Sequence, residues 1–191
     1  MNYVSELISS NKTVFTYSDI AVLFWIDSRD TIKSILSRYV KSWILKNIYS
    51  WIYVLPKYDE FELATKIKTN SYVSFESVLK PAWVIFQHYW DSIFLASDKS
   101  WEKIVNWLTI KYSKLKDEIL YNQLWIEHKW QYAIATPERA FCDRLYLSPN
   151  YYFDSIEFLN FSKLREISKI YNKRLYLAVN KMIDDFERKN A

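Results

Sequence analysis

The chain has no glycine in 191 residues, yet it has nine tryptophans. Glycine enters the left-handed backbone region without a steric penalty, so helix ends and tight turns must here be built from other residues. Ordinary usage of about 7% would supply roughly thirteen glycines. The tryptophans stand where that freedom is wanted. Trp43 follows the last residue of an expected helix, the position where a left-handed glycine normally ends it. Trp51 falls in an expected hairpin turn, where positive φ is common. Trp90, Trp101, Trp107, Trp125 and Trp130 lie between expected elements, beside Asp, Ser, Asn or Lys. The expectation is that most or all nine are glycine in the natural protein. One route is a UGA codon that means glycine but is translated as tryptophan; the alternative is an aromatic-rich surface.

The strongest local pattern runs from Asp27 to Val54. Ile32, Ile35, Leu36, Tyr39 and Val40 repeat at i, i+3, i+4, i+7 and i+8, a helical stripe with all five on one face. The opposite face carries Asp30, Ser34, Ser37, Arg38 and Lys41, with Thr31 and Lys33 at its edges. Asp27 or Ser28 supplies the N-cap oxygen. Ile44–Ile48 and Ile52–Leu55 follow as β-prone runs around a tight turn at 49–51. Upstream, Thr16 with Asp19 three residues on approaches a capping box. Ile20, Ala21, Leu23 and Phe24 then form a short apolar helix, and Val4, Leu7 and Ile8 a smaller one. Three helices and a hairpin in under sixty residues read as a winged helix-turn-helix. Its recognition helix would present the polar face of 29–41 to the major groove.

Charge is concentrated on the same element. Residues 29–58 hold six Lys/Arg against Asp30 alone, while residues 59–191 hold 19 bases and 18 acids. A solvated basic helix is the plain alternative, but the basic stretch coincides with the helix-turn-helix pattern and so points to DNA phosphates. Thr31, Ser34, Arg38 and Lys41 are expected to face the groove, with Ser34 and Arg38 the best placed for base edges. Arg29, Lys33 and Lys46 are expected to contact phosphates and set register. Thr16, Tyr17, Ser28 and Tyr49 complete the expected DNA-contacting set.

The length fits one large or two small domains, and no run approaches the roughly 18 apolar residues of a membrane span. The first residues lack the basic-then-apolar form of a signal peptide, and the single cysteine, Cys142, precludes an internal disulfide framework. A soluble cytoplasmic protein with no membrane partner is expected. Pro56–Asp59 marks a domain boundary, and 60–67 reads as a helical linker or the first helix of a second domain. Beyond it, Ser71–Ser74 leads into a helix ending before Pro81. Four β-prone runs follow, at 84–87, 92–96, 108–112 and 131–135. Residues 115–120 are ambiguous, and 125–127 could add a short strand. Thr136-Pro137-Glu138-Arg139 starts a clear helix, with a hydroxyl cap, proline in the first turn and an acid at the positive end. The tail, 161–186, is helical with a break near 172–174. The expected fold class is α+β: a winged helix-turn-helix domain at 1–57, then a mixed α+β domain at 58–191 with a helical tail.

Enzyme chemistry finds little footing. Glu127-His128-Lys129 with Asp117 upstream has a loose likeness to a magnesium nuclease core, a spacing that arises often by chance. His88 and His128 lack cysteine partners at ligand spacing, so no metal site is expected. Cys142 lies on the apolar side of its helix and reads as core. No cofactor is expected, and no glycine-rich phosphate loop is present. Arg139 and Asp143 stand at i, i+4 and can pair along their helix.

The ordered set of an N-terminal winged helix, then Ser71-Tyr72-Val73-Ser74-Phe75-Glu76-Ser77-Val78-Leu79, then Ala135-Thr136-Pro137-Glu138-Arg139-Ala140-Phe141-Cys142-Asp143-Arg144-Leu145-Tyr146-Leu147 resembles the AbiEi family of antitoxins. These belong to type IV abortive-infection toxin–antitoxin systems of bacteria. The second motif is the more specific, and the likeness covers nearly the whole chain. The chain departs from the family at tryptophans after the recognition helix, in the wing and after Pro81-Ala82, where the family usually has glycine. The resemblance implies a non-enzymatic autorepressor that binds inverted repeats in its own promoter, as a monomer in solution or a dimer on DNA. It also implies a C-terminal domain that counters a nucleotidyltransferase-like toxin without a stable complex. Glu138, Arg139, Asp143 and Arg144 read first as structural, Glu138 at the positive helix end and Arg139 with Asp143 along the helix; the alternative is that Glu138, Arg139 and Arg144 form a surface for antitoxin activity. The alternative is a winged-helix regulator whose second domain senses a ligand or partner, with no toxin nearby.

Overall fold

The computed structural model describes residues 3–87, 89 and 91–189. It is a mixed α+β protein that divides into two compact units, Met1–Thr69 and Asn70–Ala191.

In the first unit, α1 (Tyr3–Ser9), β1 (Val14–Phe15), α2 (Tyr17–Phe24), α3 (Arg29–Lys41), β2 (Lys46–Tyr49), β3 (Ile52–Val54) and α4 (Glu60–Ile67) follow in order. The caps explain the boundaries. Thr16 and Asp19 form a complete capping box at the start of α2, and the Ser28 hydroxyl accepts the Thr31 N–H at 3.3 Å to start α3. Ile32, Ile35, Leu36 and Tyr39 of α3 are buried against Leu7, Phe15, Ile20, Phe24 and Leu45. Each such apolar side chain contributes roughly 1.5–3 kcal/mol relative to exposure. The helical stripe is therefore the seam of this core.

β2 and β3 pair antiparallel about a two-residue turn, Ser50–Trp51, with an irregularity between Asn47 and Tyr49. β1 pairs with the other edge of β3, Val14 opposite Val54, a strand too short to signal itself in the sequence. α4 belongs to this unit. Its Glu62 is buried, and Oε2 accepts the Thr13 N–H at 2.9 Å and the Thr13 hydroxyl at 2.6 Å. Its Lys66 reaches Asp19 of α2 at 2.8 Å. The compact unit thus extends to Thr69, beyond the proline boundary read from the sequence.

The second unit holds β4 (Ser71–Val73), α5 (Glu76–Leu79), β5 (Ser92–Ser97), β6 (Trp101–Val105), β7 (Leu108–Lys114), α6 (Asp117–Leu120), β8 (Ile126–His128), β9 (Ala133–Ala135), α7 (Pro137–Leu147), α8 (Phe161–Ile167), a 3-10 turn (Ser168–Ile170) and α9 (Lys173–Lys189). Its six strands run in the order β6-β7-β5-β4-β9-β8. The β5–β7 and β4–β9 pairs are parallel and the other pairs antiparallel. α7 packs against α5, α8 and α9.

Two expectations are corrected here. Val84–Gln87 is not a strand: the Val84 carbonyl accepts the N–H groups of Asp154 and Ser155 at 3.0 and 3.2 Å, which docks a loop in place of a ladder. Residues 101–105, read as a polar connection, form edge strand β6, mostly exposed.

Candidate nucleic-acid interface

α3 separates its two faces cleanly. While its apolar seam is buried, Thr31, Lys33, Ser34, Ser37, Arg38 and Lys41 are all exposed, and the last five line one open groove. Arg38 and Lys41 stand in the last turn, where the helix dipole favours cations. Asp30 is the one acid on the helix, and it lies 3.7 Å from Lys33 as an exposed pair. Solvent screens such a pair, which leaves the ammonium available to another anion. The face thus offers two serine hydroxyls, one threonine hydroxyl and three cations on 31–41, held by a helix whose other side is locked in the core. Ser37 completes the groove, although it was not among the expected contacts.

The remaining expected residues fall into different roles. Arg29 is exposed at the start of α3, its guanidinium 6.0 Å from the Tyr17 ring centroid. Tyr17 is half-buried, and its hydroxyl lies 3.3 Å from that of Tyr53. Burial, with Tyr17 beside it, pushes the Tyr53 phenol up to about 12. Thr16 spends its hydroxyl on the capping box, accepting from Asp19 N–H and donating to Asp19 Oδ2 at 2.7 Å. Its part at any interface is to orient α2. The Ser28 side chain is likewise the cap of α3. Lys46 is exposed on β2, and Tyr49 of the same strand is half-buried. Asn47 braces the hairpin turn, donating through Nδ2 to the carbonyls of Ser50 and Ile52 at 3.2 Å each. Tyr53 and Asn47 were missed because neither carries a periodic or charge signal.

Asp19 holds these parts together. Lys12 and Lys66 bind its carboxylate at 2.6 and 2.8 Å. Burial alone would raise its pKa, but both ammonium groups and Thr16 outweigh burial and hold it well below the usual carboxylate range.

In the second unit, Glu138, Arg139 and Arg144 do not form an exposed surface. Arg139 and Asp143 are fully buried, with Nε and Oδ1 3.4 Å apart. The Arg139 guanidinium donates to the carbonyls of Ile119 and Leu124 at 2.6 and 3.2 Å and to the Tyr72 hydroxyl at 3.1 Å. The Asp143 carboxylate accepts from the hydroxyls of Tyr171, Ser74 and Tyr72 at 2.6, 2.7 and 3.0 Å. Burial pushes the Asp143 carboxyl up, against the pull of Arg139 and these hydroxyls. Glu138 is buried too, its Oε1 accepting the Asn160 N–H at 3.0 Å. Arg144 pairs with Glu76, its guanidinium 4.7 Å from the Phe75 ring centroid. Glu138 and Arg139 thus sit in a buried polar network, as the structural reading has it, and the alternative of an exposed antitoxin surface does not hold for them, because their helix is wrapped on several sides.

Glu127 and Lys129 pair with each other at 2.7 Å on the exposed end of β8, and His128 Nε2 meets Gln123 Oε1 at 2.8 Å. His88 lies outside the described residues. No cluster of three or more His, Cys, Asp or Glu able to hold a metal occurs among the described residues. Cys142 is buried, and burial raises its thiol pKa well above the ordinary value. No described helix is long and apolar enough to cross a membrane. The chain matches no protein-family model and no curated protein.

Proposed function

We propose that residues 1–69 are a winged helix-turn-helix DNA-binding domain and that the protein is a cytoplasmic, non-enzymatic transcriptional autorepressor and antitoxin of the AbiEi type. The observation that carries this is the two-faced α3. A buried Ile/Leu/Tyr seam fixes the helix, and Thr31, Lys33, Ser34, Ser37, Arg38 and Lys41 project outward. A hairpin bearing exposed Lys46 follows directly. Thr31, Ser34, Arg38 and Lys41 face the major groove, and Arg29, Lys33 and Lys46 neutralise phosphates. The protein binds inverted repeats in its own promoter, as a monomer in solution and a dimer on the operator.

The second domain counters a nucleotidyltransferase-like toxin without a lasting complex. Support comes from the two motifs that carry the family likeness, 71–79 and 135–147. They meet at two places: Tyr72 and Ser74 bond buried Asp143, and Glu76 pairs with half-buried Arg144. Those motif residues therefore set the fold of the domain, and the toxin-directed surface lies elsewhere on it.

Two assays test the reading. A duplex from upstream of the gene should be retarded by the protein and footprinted over an inverted repeat. Co-expression should rescue cells from the product of the adjacent gene. A protein that binds its promoter but rescues nothing would favour the other reading, a winged-helix regulator with a sensing domain. One cavity favours that reading, lined by Leu145, Tyr146, Pro149, Asn172, Arg174, Leu175 and Ala178.

A further inference from the structure

Among the described residues nine have positive φ, and three of them, Asn11, Asp91 and Asn106, are of the types that tolerate it. Five of the other six are tryptophans: Trp25 (φ 55°), Trp43 (60°), Trp83 (60°), Trp107 (63°) and Trp125 (58°). The chain's 16 tyrosines and 11 phenylalanines supply only Phe75. Aromatic character is therefore not the cause, since 26 of these 27 side chains avoid the region that five tryptophans enter.

Each of the five occupies a motif with a known demand for glycine. Trp25, Trp43 and Trp83 follow helical turns closed by a 6→1 bond. In them Ile26 N–H donates to Ala21, Ile44 to Tyr39 and Val84 to Leu79, each at 3.0 Å. That is the Schellman closure, whose left-handed residue is usually glycine. Asn106-Trp107 is the two-residue loop between β6 and β7, with both residues at positive φ. Asn-Gly is the preferred pair for that turn. Trp125 is the third residue of a turn closed by Ile126 N–H to Gln123 O at 3.1 Å, where positive φ calls for glycine. The indoles add little in return. Those of Trp25, Trp43, Trp83 and Trp107 are 65–86% exposed, and the half-buried Trp125, whose ring takes Lys163 Nζ at 4.5 Å, leaves its Nε1 without a hydrogen-bond partner.

We infer that these five are glycine positions, and that one codon, UGA, written here as tryptophan, is read as glycine in the source cell at all nine sites. Nine glycines bring the chain to about two thirds of ordinary usage. Trp25 closes α2 and Trp43 follows the end of α3, so glycines set the turn before the basic helix and its C-terminal exit. The apolar hollow lined by Lys80, Pro81, Trp83, Ile85 and Phe86 then loses one wall and is no docking site. Trp90 lies outside the described residues, while Trp51, Trp101 and Trp130 are not at positive φ.

Peptide mass mapping of the protein from its own source, with the codons read from the gene, tests the codon. The expected result is TGA at all nine and every peptide lighter by C9H7N per site. Glycine at the five alone would overturn the codon and keep the backbone assignment, whereas tryptophan at the five would overturn both. Urea unfolding of the chain as written tests the backbone assignment separately. W25G, W43G, W83G and W107G should each raise the folding equilibrium constant roughly five- to thirtyfold. W101G, which removes a strand residue stacked on Tyr112 at 5.5 Å, should lower it. Left-handed variants that destabilise as W101G does would overturn the assignment.

Discussion

Asp19 of α2 and Lys66 of α4 are 47 residues apart in sequence and 2.8 Å apart in space. The pair, with Lys12 on the same carboxylate, clamps the helix preceding α3 to the last helix of the first unit. Asp19→Asn should cost about 2 kcal/mol by loss of these charged hydrogen bonds. The sign of the pH dependence follows from the lowered pKa. The stabilisation is fully present above the unfolded carboxyl value near 3.8 and fades as pH falls through the lower folded value. Urea midpoints between pH 6 and pH 2 should therefore fall more steeply for the parent than for Asp19→Asn.

Buried Asp143 and Arg139 predict a different failure. Asp143→Asn or Arg139→Met leaves an uncompensated buried charge and should cost about 3–5 kcal/mol. Calorimetry of the full chain should show the transition of the second unit lowered. Promoter binding by the first unit should persist below that transition.

Part of this was legible in the sequence. The α3 stripe is visible because 3.6-residue periodicity repeats over two turns, and Thr16, Ser28 and Thr136 announce helix starts by their cap chemistry. β1 was not visible, since two residues carry no period and Val14 finds Val54 only through the fold. β6 is hidden because its exposed Glu102 and Lys103 dilute the apolar signal, and Trp101, beside Ser100, reads as part of a connection. At the candidate interface, the polar face of α3 followed from the helical wheel alone. Arg139 and Asp143 were visible as an i, i+4 pair, but their burial was not. It depends on Tyr72 and Ser74, some seventy residues upstream, and on Tyr171 beyond.

Cys142 sits on α7 with no exposure, and burial raises its pKa. The thiol should be inert to Ellman's reagent in the native protein and react fully in denaturing urea. Rapid native reaction would show that α7 opens.

Lys46 is exposed on β2, and on the proposed reading it is a point charge for a phosphate. Lys46→Ala should weaken specific and random duplexes alike and lower the slope of log K against log salt by about 1. Titrations at several salt concentrations check this.

The most direct measurement is fluorescence anisotropy of Arg38→Ala against the operator and its single-base variants. If the outward face of α3 reads DNA, the variant loses about 1–3 kcal/mol of operator affinity and becomes indifferent to one base position. Unchanged affinity and unchanged base preference would contradict the account.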